Sequence, residues 1–179
     1  MTAHALAASA AGAAAGGLFG LAGAALRPLT GAPGRGQLGF LGAALLALAA
    51  LELGRGRLLL PTVRRQVNEE WLHRYRGWVY GAGFGLQLGI GVATIVTAAA
   101  VYAALLCALL VASPALGAMI GGVFGAVRGL TPLAAARVRT PAQLVAVDAV
   151  LRRWERPARV ISLAVETGIA AAALGLALA

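Results

Sequence analysis

Residues 79–127 include no acidic, basic or histidine side chain, an uninterrupted uncharged run of 49 residues. A helix rises about 1.5 Å per residue and crosses the roughly 30 Å hydrocarbon core of a bilayer with about 20 residues. The run is twice as long as one crossing needs, so the chain must turn back inside it. Ser113-Pro114 is its strongest turn signal. That division predicts one helix over about residues 85–111 and another over about 116–133, with Tyr80-Gly81-Ala82-Gly83-Phe84-Gly85 as a flexible lead-in. Three shorter elements, one of them re-entrant, fit the same run.

Composition agrees with a membrane setting. Hydrophobic residues make up 60% and charged residues 12%, with a mean hydropathy of +0.85, far from the balance of soluble domains. Disorder is excluded because it goes with low hydrophobicity, and a β-barrel because the apolar runs do not alternate with period two. Alanine and 25 glycines dominate the apolar set, which lets helices approach closely where packing replaces the hydrophobic effect.

The remaining spans follow by the same reasoning. Residues 5–26 form a first one, longer than a signal-peptide core and preceded by no arginine, so it reads as a retained helix. A Pro and Gly cluster, Arg27-Pro28 to Pro33-Gly34, reverses the chain. Residues 38–60 form a second span, containing Glu52 and, near its end, Arg55 and Arg57. A final span covers residues 160–179 and holds Glu166.

Two polar inserts separate these runs. In the insert at residues 62–77 and just after it, the apolar positions Val63, Val67, Trp71, Tyr75 and Trp78 recur at steps of three and four, which describes a helix in the headgroup plane anchored by Trp71 and Trp78. In residues 137–159 a helix starts at Thr140 (N-cap), Pro141 and Gln143. Its apolar face is Leu144, Val147, Leu151 and Trp154, with Arg152, Arg153 and Arg156 in the last turn before Pro157. The expected fold is thus all-α: one polytopic transmembrane bundle of about five spans, residues 1–179, with two interfacial amphipathic helices. Its layout hints at a degenerate repeat, 1–78 and 79–179.

Every basic side chain is Arg, and the formal charge is +9. The arginines cluster between apolar runs, which favours topology and contact with anionic lipid headgroups over nucleic acid. Both inserts lie an even number of crossings apart. The positive-inside rule then places them and the N-terminus in the cytoplasm of a cell inner membrane, and the C-terminus outside.

Acidic groups inside spans are costly and usually have a partner or a water-filled cavity. Glu166 is the first such candidate, either a coupling carboxylate or an ion-pair partner of Arg159. Glu52 is the second, alone or paired with Arg55 or Arg57. Gln87 and Thr94 on the uncharged run complete a candidate polar pathway, or serve as interhelical glue. The ladders Gly12, Gly16, Gly20 and Gly117, Gly121, Gly125, together with Gly85 and Gly89, predict helix-packing faces. Metal or hydrolytic chemistry finds little footing: His4 and His73 are isolated, Asp148 is the single Asp, and Cys107 sits in an apolar run. No cofactor and no enzymatic activity are expected.

The segment from Tyr80 to Val92, with Gly81, Gly83, Gly85, Gly89 and Gly91 after Arg74 to Trp78, resembles the repeat-start helix of the bacterial cytochrome c biogenesis transmembrane proteins, whose wider relatives export small solutes. The resemblance implies a shared helical scaffold. It carries over no catalytic residue, because that family's thiol relay uses a pair of membrane cysteines flanked by prolines and Cys107 stands alone. Two function classes remain: a small-solute carrier or exporter, as a homodimer through the glycine faces, and a membrane scaffold or subunit presenting its Arg-rich helices to a partner.

Overall fold

The computed structural model describes residues 2–30, 34–53, 76–90, 99–132, 136 and 138–179. Among them every long element is a helix: α1 (Thr2–Thr30), α2 (Arg35–Leu53), α3 (Gly77–Ile90), α4 (Ala100–Leu110), α5 (Pro114–Leu130) and α6 (Pro141–Leu178). Helices α1, α2 and α6 are long and apolar enough to cross a membrane, and α4 and α5 are shorter apolar helices.

The glycine ladders set the packing. Helix α5 runs antiparallel to α1, with Gly12 against Gly121, Gly16 against Gly117 and Gly121, and Gly20 against Ser113, while Gly125 meets Ala8. A Cβ at any of these glycines would run into the backbone of the other helix. Glycine every fourth residue keeps one face of each helix bare, so the backbones themselves touch and dispersion contacts replace side-chain interdigitation. Helix α3 lies parallel to α1 by the same device, Gly85 against His4 and Ala7, and Gly89 against Ala8 and Ala11. These glycine faces pack against one another within one chain.

Two groups of helices result. Around α1 gather α3, α4 and α5. Apart from these, α2 and α6 form an antiparallel pair, Gly39 beside Ala177, Gly42 beside Ala170 and Leu174, and Glu52 beside Arg159. The backbones of the consecutive helices α1 and α2 do not approach closely among the described residues, and α4 packs against both groups.

Large side chains are turned outward. Among the described residues the buried apolar ones are mostly alanines such as Ala8, Ala11, Ala49 and Ala170, and the largest fully buried side chains are Leu45 and Val101. Leu18, Leu21, Phe40, Val123, Ile161 and Val165 stand exposed. Water would penalise such a surface at about 25 cal/mol per Å² of apolar area, whereas lipid tails accept it.

Local signals place several helix ends. Ser113, extended at φ −139° and ψ 117°, caps α5 by accepting from the Leu116 N–H, with Pro114 at the first turn. Thr140 caps α6 by accepting from the Gln143 N–H at 3.3 Å, and Gln143 Oε1 accepts from the Arg139 N–H at 2.7 Å. Between α4 and α5 Ala112 takes a positive φ of 48°, which closes the turn before Ser113.

Elsewhere the structure corrects the sequence reading. Residues 80–85 are no flexible lead-in but part of α3, with Gly81 and Gly85 lying against α1. The span expected over 85–111 is instead divided between α3 and α4, with 91–98 outside the described residues. Pro157 does not end a helix: α6 runs through it for 38 residues, so Arg152, Arg153 and Arg156 lie mid-helix. Proline removes one hydrogen bond of the ladder and tends to kink rather than stop a helix whose flanking turns are sound. Residues 54–75, with Trp71 and most of the first polar insert, are outside the described residues.

Candidate functional site

Glu52 lies one residue from the end of α2, where the last carbonyls of a helix have no partner within it. Arg159 of α6 supplies one: its Nη2 donates to the Glu52 carbonyl oxygen, and its Nε lies 3.8 Å from Glu52 Oε1. The other carboxylate oxygen, Oε2, accepts from the Ala99 N–H at 3.0 Å. Ala99 is the N-cap of α4 and has no capping side chain of its own, so Glu52 caps that helix from outside. An anion at a helix N-terminus and a cation at a helix C-terminus both suit the helix dipole. One side chain thus ties α2, α4 and α6 together, and it is only 5% exposed.

Glu166 sits seven residues beyond Arg159, about two turns along α6, and is 4% exposed. Neither of its oxygens has a hydrogen-bond partner. Ser162, one turn earlier, is close enough to act on it without meeting hydrogen-bond geometry, and the charge of Glu52 reaches it as well. Extending the antiparallel register places Glu166 beside the buried stretch around Leu45 and Ala49 of α2. The pairing of Glu166 with Arg159 expected from sequence is not formed. Arg159 belongs to Glu52, because two turns along a helix separate it from Glu166 while α2 brings Glu52 alongside.

Of the other candidate pathway residues, Gln87 is half-buried on α3, its Oε1 buried without a partner. Helix α3 contacts α1 and α5 but neither α2 nor α6, so Gln87 does not join the carboxylates. Thr94 lies outside the described residues. Trp78, at the start of α3, and Trp154 of α6 are both exposed, as lipid or partner anchors would be.

A buried histidine escaped the sequence reading. His4, 7% exposed, donates from Nδ1 to the Gly81 carbonyl at 3.1 Å and stacks on Phe84 with ring centroids 5.3 Å apart. Its Nε2 is buried without a partner. The signal was the position of His4 one turn before the Ala8 and Gly12 face. On the exposed part of α6, Asp148 pairs with Arg152 at 2.6 Å, and the carboxylate's hydrogen bond and charge hold that guanidinium above its usual range.

Comparison of the chain with protein-family models, with curated proteins and with solved structures finds no match.

Proposed function

We propose that the chain is a multi-pass inner-membrane carrier that moves a small solute, with Glu166 as the carboxylate whose protonation is coupled to movement. One observation carries the reading: Glu166 is buried with neither oxygen paired, beside a Glu52 that already holds the neighbouring arginine. Two carboxylates and one guanidinium leave one negative charge when both acids are ionised. In a hydrocarbon interior that excess is expensive, and a single proton removes it. A carboxylate that alternates between the two states, while its neighbour is locked in a structural pair, is suited to coupling.

The accompanying topology has five crossings, α3 and α4 together making the third. Under it all arginines except Arg27 and Arg35 fall in the N-terminal half of α6, the end of α5, and the connections between α2 and α3 and between α5 and α6, on the cytoplasmic side by charge. No catalytic step is assigned to any residue.

The test uses the purified protein in liposomes loaded with a pH-sensitive dye. Outward gradients of amino acids, organic acids and amines are imposed in turn. At least one class should drive proton movement, and Glu166→Gln should abolish it with thermal stability unchanged, because an amide keeps the shape but exchanges no proton. A Glu166→Gln protein that moves protons as the parent does would refute the coupling role.

A second reading is a membrane subunit that binds a cytoplasmic partner. The nearly complete exposure of residues 141–160, with Arg152, Arg153 and Arg156, favours it. In that case no gradient would move protons.

A further inference from the structure

Helix α6 is about 57 Å long at 1.5 Å per residue, almost twice the hydrocarbon thickness of a bilayer. It meets α2 along one face only, through Arg159, Ala170, Leu174 and Ala177. On the opposite face a second pattern runs its whole length. Leu144, Val147, Leu151, Trp154, Ala158, Ile161, Val165, Gly168, Ala172 and Gly175 follow one another at alternating steps of three and four. This 3.5-residue period is that of a coiled-coil seam, sustained here over four heptads.

Among the described residues most of this seam is uncovered, Val147 alone of its large side chains being half-buried. Leu144, Leu151, Trp154, Ile161 and Val165 are each more than half exposed. Gly168 and Gly175, one heptad apart, have no atom within 4 Å of where a Cβ would stand, unlike the mid-helix glycines of α1 and α5 that hold the bundle together. Interior glycine weakens a helix by about 1 kcal/mol against alanine, and no contact among the described residues offsets that.

Charge selects the occupant. With Leu144 as position a, Arg152 and Arg159 fall at b, Arg153 at c and Arg156 at f, all away from the seam. Asp148 and Glu155 flank it at e, and Asp148 is already paired with its own Arg152. Pro157 is at a flanking g position. A helix laid on an anionic leaflet by this stripe would point its arginines away from the headgroups, so a lipid surface fits poorly. A second copy fits well. Two copies in one membrane share an orientation, and a two-fold axis along the membrane normal sets their α6 helices parallel and in register. Small residues then meet within the bilayer, and Leu, Val and Trp meet beyond it.

We infer that the outer face of α6 is a parallel two-helix seam with α6 of a second copy of this chain, continuous from the bilayer into the cytoplasm. The test is disulfide cross-linking in isolated membranes on a Cys107→Ser background. Single cysteines at Leu144, Leu151, Ile161 and Val165 should give a covalent dimer on oxidation, and those at Ala149, Arg156 and Leu163, on the f face, should not. Cross-linking without this period, or confined to Ile161 and Val165, would overturn the continuous seam. So would cross-linking nowhere, the outcome expected if Leu144 and Leu151 rest on lipid. As an independent check, Gly168→Leu with Gly175→Leu meets open space within the monomer and should leave it folded while the dimer is lost in mild detergent. A dimer that persists in that variant would also overturn the proposal.

Discussion

Adjacent glycines in α1 should respond in opposite ways to the same methyl group. At Gly16 a Cβ would strike the Gly117 carbonyl well inside 3.0 Å and lie 2.9 Å from Gly121 Cα, both backbone atoms of α5. Backbone in a regular helix cannot rotate aside as a side chain can, so the α1–α5 seam must spread. Overpacking of this kind costs about 1–3 kcal/mol, and a clash with backbone belongs at the upper end. The better helix propensity of alanine returns about 1 kcal/mol, leaving Gly16→Ala destabilised by roughly 2 kcal/mol. At Gly17 the nearest atoms are Ala118 Cβ at 3.5 Å and the Pro114 carbonyl at 3.6 Å, ordinary contact distances. Gly17→Ala should therefore be neutral or stabilising by up to about 1 kcal/mol. The two variants, unfolded by SDS from dodecylmaltoside micelles and followed by far-UV circular dichroism, should differ by about 2–3 kcal/mol. Equal midpoints would refute the close α1–α5 approach.

Arg159→Ala leaves Glu52 buried with only the Ala99 N–H, and should destabilise by about 1–3 kcal/mol in the same assay, less than a fully buried pair because Arg159 is 41% exposed; an added Glu52→Gln should restore much of the loss. Reporter fusions after Arg76 and Arg153 should both read cytoplasmic and one at Ala179 should read outside, with any exchange among them rejecting the five-crossing topology. Thr140→Ala removes the cap of α6 and should cost about 0.5–2 kcal/mol of local helix stability, visible as faster amide exchange over residues 141–145.

What sequence reveals here depends on the range of the interaction. Ser113-Pro114 and Thr140-Pro141 locate helix starts because a cap is settled within four residues. The ladders Gly12, Gly16, Gly20 and Gly117, Gly121, Gly125 announce packing faces, but only their antiparallel register in space makes them partners of each other. The glycines at 81–85 look flexible to any local rule, and the neighbour that fixes them, α1 around His4, is distant in sequence. For the acidic residues, sequence singled out Glu52 and Glu166, both of which are buried, but gave Arg159 to Glu166 where the structure pairs it with Glu52. Helical spacing advertises partners on the same helix, while α2 and α6 are brought together by tertiary packing alone.

The division of the helices into an α1-centred group and an α2–α6 pair has a mechanical consequence. Within the first group, backbone lies against backbone over several turns, which makes it stiff. The pair is fastened to it through α4, where the Glu52 to Ala99 hydrogen bond is the described polar clasp. A clasp of this kind can be undone for a few kcal/mol, far less than sliding one glycine ladder past another would take. Among the described residues the chain thus divides into a tightly packed frame and a helix pair, with both buried acids on the pair and Glu52 bonded to the frame. A change of charge at Glu52 would therefore act directly on the bond that joins the two.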